Sequence, residues 1–431
     1  MEQKIKDERS ARRHFLMAIS AIGSATAVSG YASVSFGARP KIVVVGGGFG
    51  GATVARYLML WGRGSVDVTL VERNLQFTSC PMSNLVIAGY SKIGDITITY
   101  DRLRSLGIKI IHGEVTAVAH EKQLVRLTDG SELPYDRLIV SPGIDFIWDQ
   151  VGGMDGQAAQ EAIPSAWKTG AQTVMLRNQL TAMTDGGVFA ISIPVAPYRC
   201  TPAPYERACL VADYLKKYKP KSKVLIFDAN EDVGSMKELF TKVWKERYGN
   251  IIEYQNNSEL KAVHVPTRTA ILEFDQVKVN VLNVIPPQRA GEIAGQAGLI
   301  DVNKRWCDVN WLTMESKSVS KIHVLGDAVF PSARMPKSGH VANQQAKLAA
   351  AAILNIFGGL DPNRNPLITS TCYSYVSERE GIHVSSVHTY DQAAQTMQVV
   401  AGAGGVSMTP SELEGNFAAE WALNIWADSF G

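Results

Sequence analysis

The chain has 431 residues, 46% of them apolar and 19% charged, with 43 basic residues against 41 acidic. At roughly 150 residues per domain this is about three domains, and the composition excludes disordered, collagen-like and disulfide-dense chains. A formal net charge of +2 excludes a nucleic-acid binder that relies on a broad basic face.

The first predicted element is an address. Residues 1–13 are polar and end in Arg12-Arg13, and an apolar stretch from Phe15 to Val28 follows, interrupted by Ser20, Gly23, Ser24 and Thr26. Such a stretch is too short to cross a hydrocarbon layer of about 30 Å as a helix and predicts a cleaved export signal over residues 1–32. Its Arg-Arg-His-Phe-Leu core resembles a twin-arginine signal, which is read by a transporter for folded, cofactor-loaded proteins and implies a periplasmic location. Cleavage after Ala32 removes five basic and three acidic residues and leaves 38 of each sign.

Lys41-Ile-Val-Val-Val follows, a continuous apolar run that predicts a buried parallel strand. Gly46, Gly48 and Gly51 then fit GxGxxG, with a helix over Ala52–Leu60. In a dinucleotide turn these glycines serve the tight turn, the backbone approach to pyrophosphate and helix–strand packing, and the helix N-terminus receives the phosphates. A second strand, Val66-Asp-Val-Thr-Leu-Val-Glu72, ends in an acid whose spacing from Gly46 is close to that of a ribose-binding carboxylate. FAD rather than NAD is indicated further on. Hairpin-like sequence around Thr128-Asp129-Gly130, Leu138-Ile-Val-Ser-Pro-Gly143, the strand Ile322-His-Val-Leu ending in Gly326-Asp327, and an Ala-rich helix over Gly339–Phe357 follow in the order of a two-part FAD domain.

Between about 151 and 285 a second βαβ unit reads as strand Gly187–Ile193, helix Tyr205–Tyr218 and strand Lys223–Asp228. Its phosphate turn is Pro194-Val-Ala-Pro-Tyr-Arg-Cys-Thr-Pro-Ala-Pro204, with four prolines where glycines belong. Proline lacks the N–H that would hold a pyrophosphate, so NAD is not expected here. The turn carries Cys200 instead, beside Arg199 and close to Glu206. A cysteine at a helix mouth next to a cation is expected to have a lowered pKa and a reactive thiolate.

The five cysteines (80, 200, 209, 307, 372) form no CxxC, no haem-attachment motif and no zinc spacing, so no metal site is predicted. In its ordered motifs the chain closely resembles the flavoprotein subunits of flavocytochrome c sulfide dehydrogenase, within the disulfide-oxidoreductase-like FAD proteins. The resemblance runs from about Lys41 to Gly431. It rests on Gly46–Gly51, Thr78-Ser-Cys-Pro-Met-Ser-Asn84, Pro197–Arg207, Ile285-Pro-Pro-Gln-Arg-Ala-Gly291, Met335-Pro-Lys-Ser-Gly339 and Thr371-Cys-Tyr-Ser374.

The resemblance implies an α/β fold with two Rossmann-like nucleotide-binding domains, glutathione-reductase-like, and a C-terminal α+β interface domain. The FAD domain comprises 40–150 and 286–360, the degenerate NAD-like domain 151–285 and the interface domain 361–431. It also implies covalent FAD on Cys80 through the flavin 8α-methyl carbon, and a redox-active disulfide between Cys200 and Cys372. Their wide separation in sequence suits a bridge between domains, and an exported protein tolerates one; the competing pairing is Cys200–Cys209. Sulfide (HS⁻) would attack the disulfide, with Glu206 managing a proton and Gly326-Asp327 on the ribitol. Arg199 and Lys337 are weighed as anion attractors against ordinary surface charges, and Cys209 and Cys307 as buried packing thiols. Electrons would leave to a c-type cytochrome subunit docked on the C-terminal segment, with Trp421 and Trp426 as candidates; no stable membrane insertion is expected. Rival readings are a sulfide:quinone reductase and a non-catalytic flavin module.

Overall fold

The computed structural model describes residues 38–431, and the export signal read at 1–32 lies outside them. The apolar run becomes β1 (Lys41–Val45), and the glycine turn leads into α1 (Phe49–Gly62). Strands β2 (Asp67–Glu72), β3 (Lys109–His112) and β4 (Arg137–Val140) follow. They form a parallel sheet in the order β4-β1-β2-β3, with Val43 opposite both Thr69 and Leu138. Val43, Val44, Leu70 and Ile139 are at most 2% exposed, each contributing roughly 1.5–3 kcal/mol by burial. Both faces are covered, which is why the strands read as unbroken apolar runs rather than alternating ones.

A second parallel sheet is built from β5 (Val188–Ile193), β6 (Lys223–Asp228), β7 (Ile252–Gln255) and β8 (Val281–Val284), in the order β7-β6-β5-β8. Helix α2 (Ala203–Tyr218) is the crossover from β5 to β6 and buries nearly its whole first three turns. The chain then returns to the first sheet through β9 (Ile322–Val324), which pairs in parallel with β4 on the edge opposite β3. Two short antiparallel strands, Val309–Asn310 and Glu315–Ser316, extend that edge. Helix α3 (Gly339–Phe357), capped by Ser338 Oγ on the Val341 N–H, packs against α1.

The last segment forms an antiparallel sheet of β10 (Leu367–Tyr375), β11 (Gly381–Asp391) and β12 (Thr396–Val406), followed by α4 (Glu412–Phe430). One face of α4 is tied to α1 and to this sheet through Ala418, Ala422, Ile425 and Phe430. Phe430 stacks on Phe77 at 4.7 Å and so anchors the helix beside the glycine turn. Among the described residues no helix is long and apolar enough to cross a membrane.

Candidate active site

A cavity of about 550 Å³ runs from Glu72 and Tyr100, past Gly46, Asp327 and Cys80, to Cys200 and Cys372. At its first end the glycine turn is sterically obligatory. A Cβ on Gly46 would lie 2.2 Å from the Ser141 carbonyl oxygen, at φ +98°, and one on Gly51 would lie 1.7 Å from the Gly46 oxygen. Gly48 borders the cavity, and a Cβ there would meet only the Phe77 ring at 3.9 Å. Glu72 accepts the Gly47 N–H at 2.7 Å and, through its other oxygen, Asn74 N–H at 2.8 Å, which fixes the carboxylate at the cavity wall.

Midway, Gly326-Asp327-Ala328 forms a single 3₁₀ turn after β9. Gly326 N–H donates to Gln345 Oε1 at 2.8 Å. Asp327 Oδ1 is buried without a hydrogen-bond partner, and Oδ2 lies 3.9 Å from Arg199 Nε. Burial raises the Asp327 carboxyl, partly opposed by Arg199 and Lys337. An orphaned buried acceptor is costly unless a donor meets it. With the open glycine cradle at one end, it makes a donor set that fits an FAD: phosphates at the α1 N-terminus, ribose hydroxyls on Glu72 and a ribitol hydroxyl on Asp327.

Arg199 and Lys337 are not surface charges. Lys337 is 5% exposed. Its ammonium donates to the backbone oxygens of Asp327 (2.9 Å) and Val329 and stands 3.7 Å from the Trp306 ring centroid. Burial pulls its pKa down to about 7. Its own carbonyl accepts the Cys200 N–H at 2.9 Å, so one residue ties the Asp327 turn to the cysteine loop. Arg199 donates to the Trp167 carbonyl, which also receives the Cys80 S–H at 4.0 Å.

At the far end Cys200, Cys372 and Glu206 meet on one wall. Cys200 precedes α2 with φ +57°, a left-handed conformation that costs a non-glycine residue roughly 1–2 kcal/mol. It is held there by its N–H on Lys337 and by its carbonyl, which accepts Ala203 N–H at 3.0 Å. Cys372 projects from β10 and stands 4.0 Å from Ser370 Oγ. The two cysteines are free thiols here, as are the other three. The expectation of a lowered Cys200 pKa is overturned: burial, then the neighbouring Cys372 and Glu206, push it well above the ordinary thiol value, and Arg199 offsets only part of this. A nearby cation does not decide ionisation when desolvation opposes it.

Glu206, in the first turn of α2, accepts from Asn84 Nδ2 at 2.7 Å and from the Tyr375 N–H at 2.9 Å. Its accessible surface faces the cavity rather than bulk solvent, and burial pushes its pKa up to about 7 against those two hydrogen bonds. Asn84 is bound on its other side: its Oδ1 accepts from Arg207 Nε at 2.9 Å. The buried Arg207 also donates to Asn283 Oδ1 (2.7 Å) and to the carbonyls of Ser165 (3.2 Å) and Ala166 (2.9 Å). Sequence reasoning misses Asn84, Arg207 and Tyr375. Asn84 and Arg207 lie inside the motifs quoted above, the one signal that points to them.

Trp421 lines the cavity, with its ring 6.0 Å from His340 and 6.2 Å from Tyr373. Trp426 turns inward and donates to Ser79 Oγ at 3.0 Å. Neither is an exposed docking aromatic; on α4 the large exposed apolar side chains are Leu413, Phe417 and Leu423. Cys209 is buried, accepting Trp244 Nε1–H at 3.2 Å, and Cys307 is buried in the first core; burial holds both thiols up at about 12. In the second nucleotide fold Asp228, at the end of β6, is capped by Tyr205 OH at 2.7 Å and Tyr254 OH at 3.1 Å, and by Asn230.

Three family models match. Residues 40–170 match pyridine nucleotide-disulphide oxidoreductase, 173–286 the central part of the sulfide dehydrogenase [flavocytochrome c] flavoprotein chain, and 364–430 the flavocytochrome c sulphide dehydrogenase flavin-binding domain. The mitochondrial sulfide:quinone oxidoreductase of Dictyostelium discoideum is 26% identical over 376 residues, 83% of this chain and 81% of that protein. The sulfide dehydrogenase [flavocytochrome c] flavoprotein chain of Chlorobaculum thiosulfatiphilum is 54% identical over 46 residues, 11% of this chain and 94% of that sequence. In fold, the sulfide:quinone oxidoreductase of Aquifex aeolicus superposes with a TM-score of 0.73 over 91% of both chains at 18% identity.

Proposed function

We infer that this chain, which has the fold of the pyridine nucleotide-disulphide oxidoreductase flavoproteins and matches both flavocytochrome c sulfide dehydrogenase domain models, is an FAD-dependent sulfide dehydrogenase that delivers electrons to a c-type cytochrome. The observation that carries the reading is the convergence of Cys200, Cys372 and Glu206 on one end of a cavity whose other end fits a dinucleotide.

In the oxidised enzyme Cys200 and Cys372 form a disulfide. HS⁻ attacks one sulfur: the disulfide S–S bond breaks, a new S–S bond gives a persulfide, and the electron pair leaves on the other cysteine as thiolate. A second HS⁻ takes the outer sulfur of the persulfide as a disulfane and leaves a second thiolate. Re-forming the Cys200–Cys372 bond releases two electrons. FAD, when bound, supplies the acceptor for that pair and releases electrons singly. Glu206, balanced near neutrality by burial, takes the proton of an incoming or outgoing sulfur species and passes it back. Cys80 holds the flavin covalently, and Gly46, Gly48, Gly51, Glu72, Gly326 and Asp327 seat it. The cytochrome docks on the 361–431 segment, where Phe417 is 44% and Leu413 60% exposed. Folded export through the twin-arginine route to the periplasm completes the reading.

A quinone acceptor is the second reading, favoured by the Dictyostelium relative, which matches over 83% of this chain. Anaerobic titration tests both. Sulfide is expected to bleach the flavin absorbance and NADH to leave it unchanged; bleaching by NADH but not by sulfide overturns the assignment. Re-oxidation of the bleached enzyme by a soluble c-type cytochrome but not by a short-chain quinone supports the cytochrome acceptor, and the reverse pattern replaces it with quinone.

A further inference from the structure

We propose that Arg199 drives the attachment of FAD to Cys80, its guanidinium being the cation that stands against the Cys80 sulfur while that sulfur bonds to the flavin. The proposal rests on the covalent reading of Cys80 given above.

Arg199 is an expensive residue where it stands. Its side chain is 14% exposed and borders the cavity, and its ion-pair partner Asp327 stands 3.9 Å away, too far for a hydrogen bond. A cation so largely desolvated is stabilised further by an anion in direct contact. The Trp167 carbonyl brings the candidate forward: it receives both the Arg199 guanidinium and the Cys80 S–H, so the two side chains converge on one oxygen. Burial opposes the guanidinium charge, yet the neighbouring Cys80, Asp327 and Cys200 side chains favour it.

Thioether formation needs this arrangement. The thiolate is the nucleophile, and a neighbouring guanidinium compensates its charge. The Cys80 sulfur forms a C–S bond to the 8α carbon; one C–H bond of that methyl group and the S–H bond break. The two electrons and two protons released are taken up by the isoalloxazine, so the cofactor is itself the oxidant and no other reagent enters the step. The linked cofactor is then re-oxidised by the chain's electron acceptor, or by dioxygen in a purified sample. Arg199 adds nothing to the seating of the pyrophosphate, which lies with Gly46–Gly51 at the other end of the cavity.

The test compares the full chain with its Cys80→Ser, Arg199→Met and Arg199→Lys variants, reading total bound FAD by absorbance and acid-stable FAD by in-gel fluorescence and intact mass. Wild-type flavin is expected to be acid-stable, and that of Cys80→Ser fully extractable. Arg199→Met is expected to bind FAD with its acid-stable fraction reduced at least about tenfold, and Arg199→Lys to recover part of it. An Arg199→Met chain linked as completely as wild type overturns the proposal. Where Arg199→Met holds no FAD, Arg199→Lys decides: restored linkage supports the role of the cation, and bound but unlinked FAD overturns it. Wild-type flavin that extracts in acid defeats the covalent reading instead.

Discussion

Replacing Glu206 with Gln tests the electrostatics of the site through stability rather than turnover. Burial raises the Glu206 pKa from the ordinary 4.5 to about 7, and each unit is worth about 1.36 kcal/mol. The folded chain therefore binds the proton more tightly than the unfolded chain, by about 3 kcal/mol. That stabilisation is fully present below about pH 4.5 and is lost as the pH rises through about 7. Gln does not titrate and carries none of this dependence. It does carry a fixed cost: both Glu206 oxygens accept from donors that stay in place, so whichever way the new amide turns, its N–H₂ meets a donor, Asn84 Nδ2 or the Tyr375 N–H. One buried unpaired donor costs roughly 1–3 kcal/mol. Glu206→Gln should thus be about 2 kcal/mol less stable than wild type at pH 4.5 and equal to or slightly more stable at pH 8. Guanidinium unfolding followed by tryptophan fluorescence at both pH values measures the difference. A gap between the two proteins that stays constant within about 1 kcal/mol across that range refutes the reasoning.

Asn84→Leu removes hydrogen bonds to two buried charged groups at once, each worth roughly 1.5–3 kcal/mol; a total loss of about 3–6 kcal/mol is expected in the same unfolding measurement, and a loss under about 1 kcal/mol denies the Glu206–Asn84–Arg207 network. Gly51→Ala puts a Cβ 1.7 Å from the Gly46 oxygen, so the purified variant should lack flavin absorbance; full flavin content contradicts the turn geometry. Cys209→Ser exchanges a buried, un-ionised thiol that only accepts from Trp244. Sulfide-dependent bleaching should persist at the wild-type rate with a stability loss below about 2 kcal/mol, and a rate loss of about tenfold would bring Cys209 into the chemistry.

The parts of the site legible in sequence are those whose chemistry is local. The β1 run, the glycine turn and the acid ending β2 follow from strand burial and turn sterics within the single stretch from Lys41 to Glu72. Only the bounds differ: the helix expected over Ala52–Leu60 begins at Phe49 and ends at Gly62. That Lys337 is buried and Arg199 mostly so is not legible, because exposure is the rule for charged side chains and nothing adjacent in sequence reveals two carbonyls and an indole face waiting for an ammonium. The direction of Cys200 ionisation escapes for a related reason. Arg199 is its sequence neighbour, but the desolvation that outweighs it is a product of the folded surroundings, and Cys372 arrives on β10 from the far end of the chain. Asn84 meets Glu206 and Arg207 across separations of 122 and 123 residues, so the network exists only in the fold.

The capped Asp228 has a consequence for how the molecule is wired. Two tyrosine hydroxyls and an asparagine amide satisfy the carboxylate that in an open nucleotide fold would be free for a sugar, and the prolines ahead of α2 remove the phosphate donors. Admitting a nicotinamide nucleotide would mean breaking some of four internal hydrogen bonds to a fully buried acid while gaining few new ones. The second fold thus keeps the shape that holds Cys200 at the cavity while its own sugar-binding acid is occupied from within. On the sulfide-dehydrogenase reading, reducing equivalents would reach the flavin from the cysteine end and not from a nicotinamide nucleotide in the second fold.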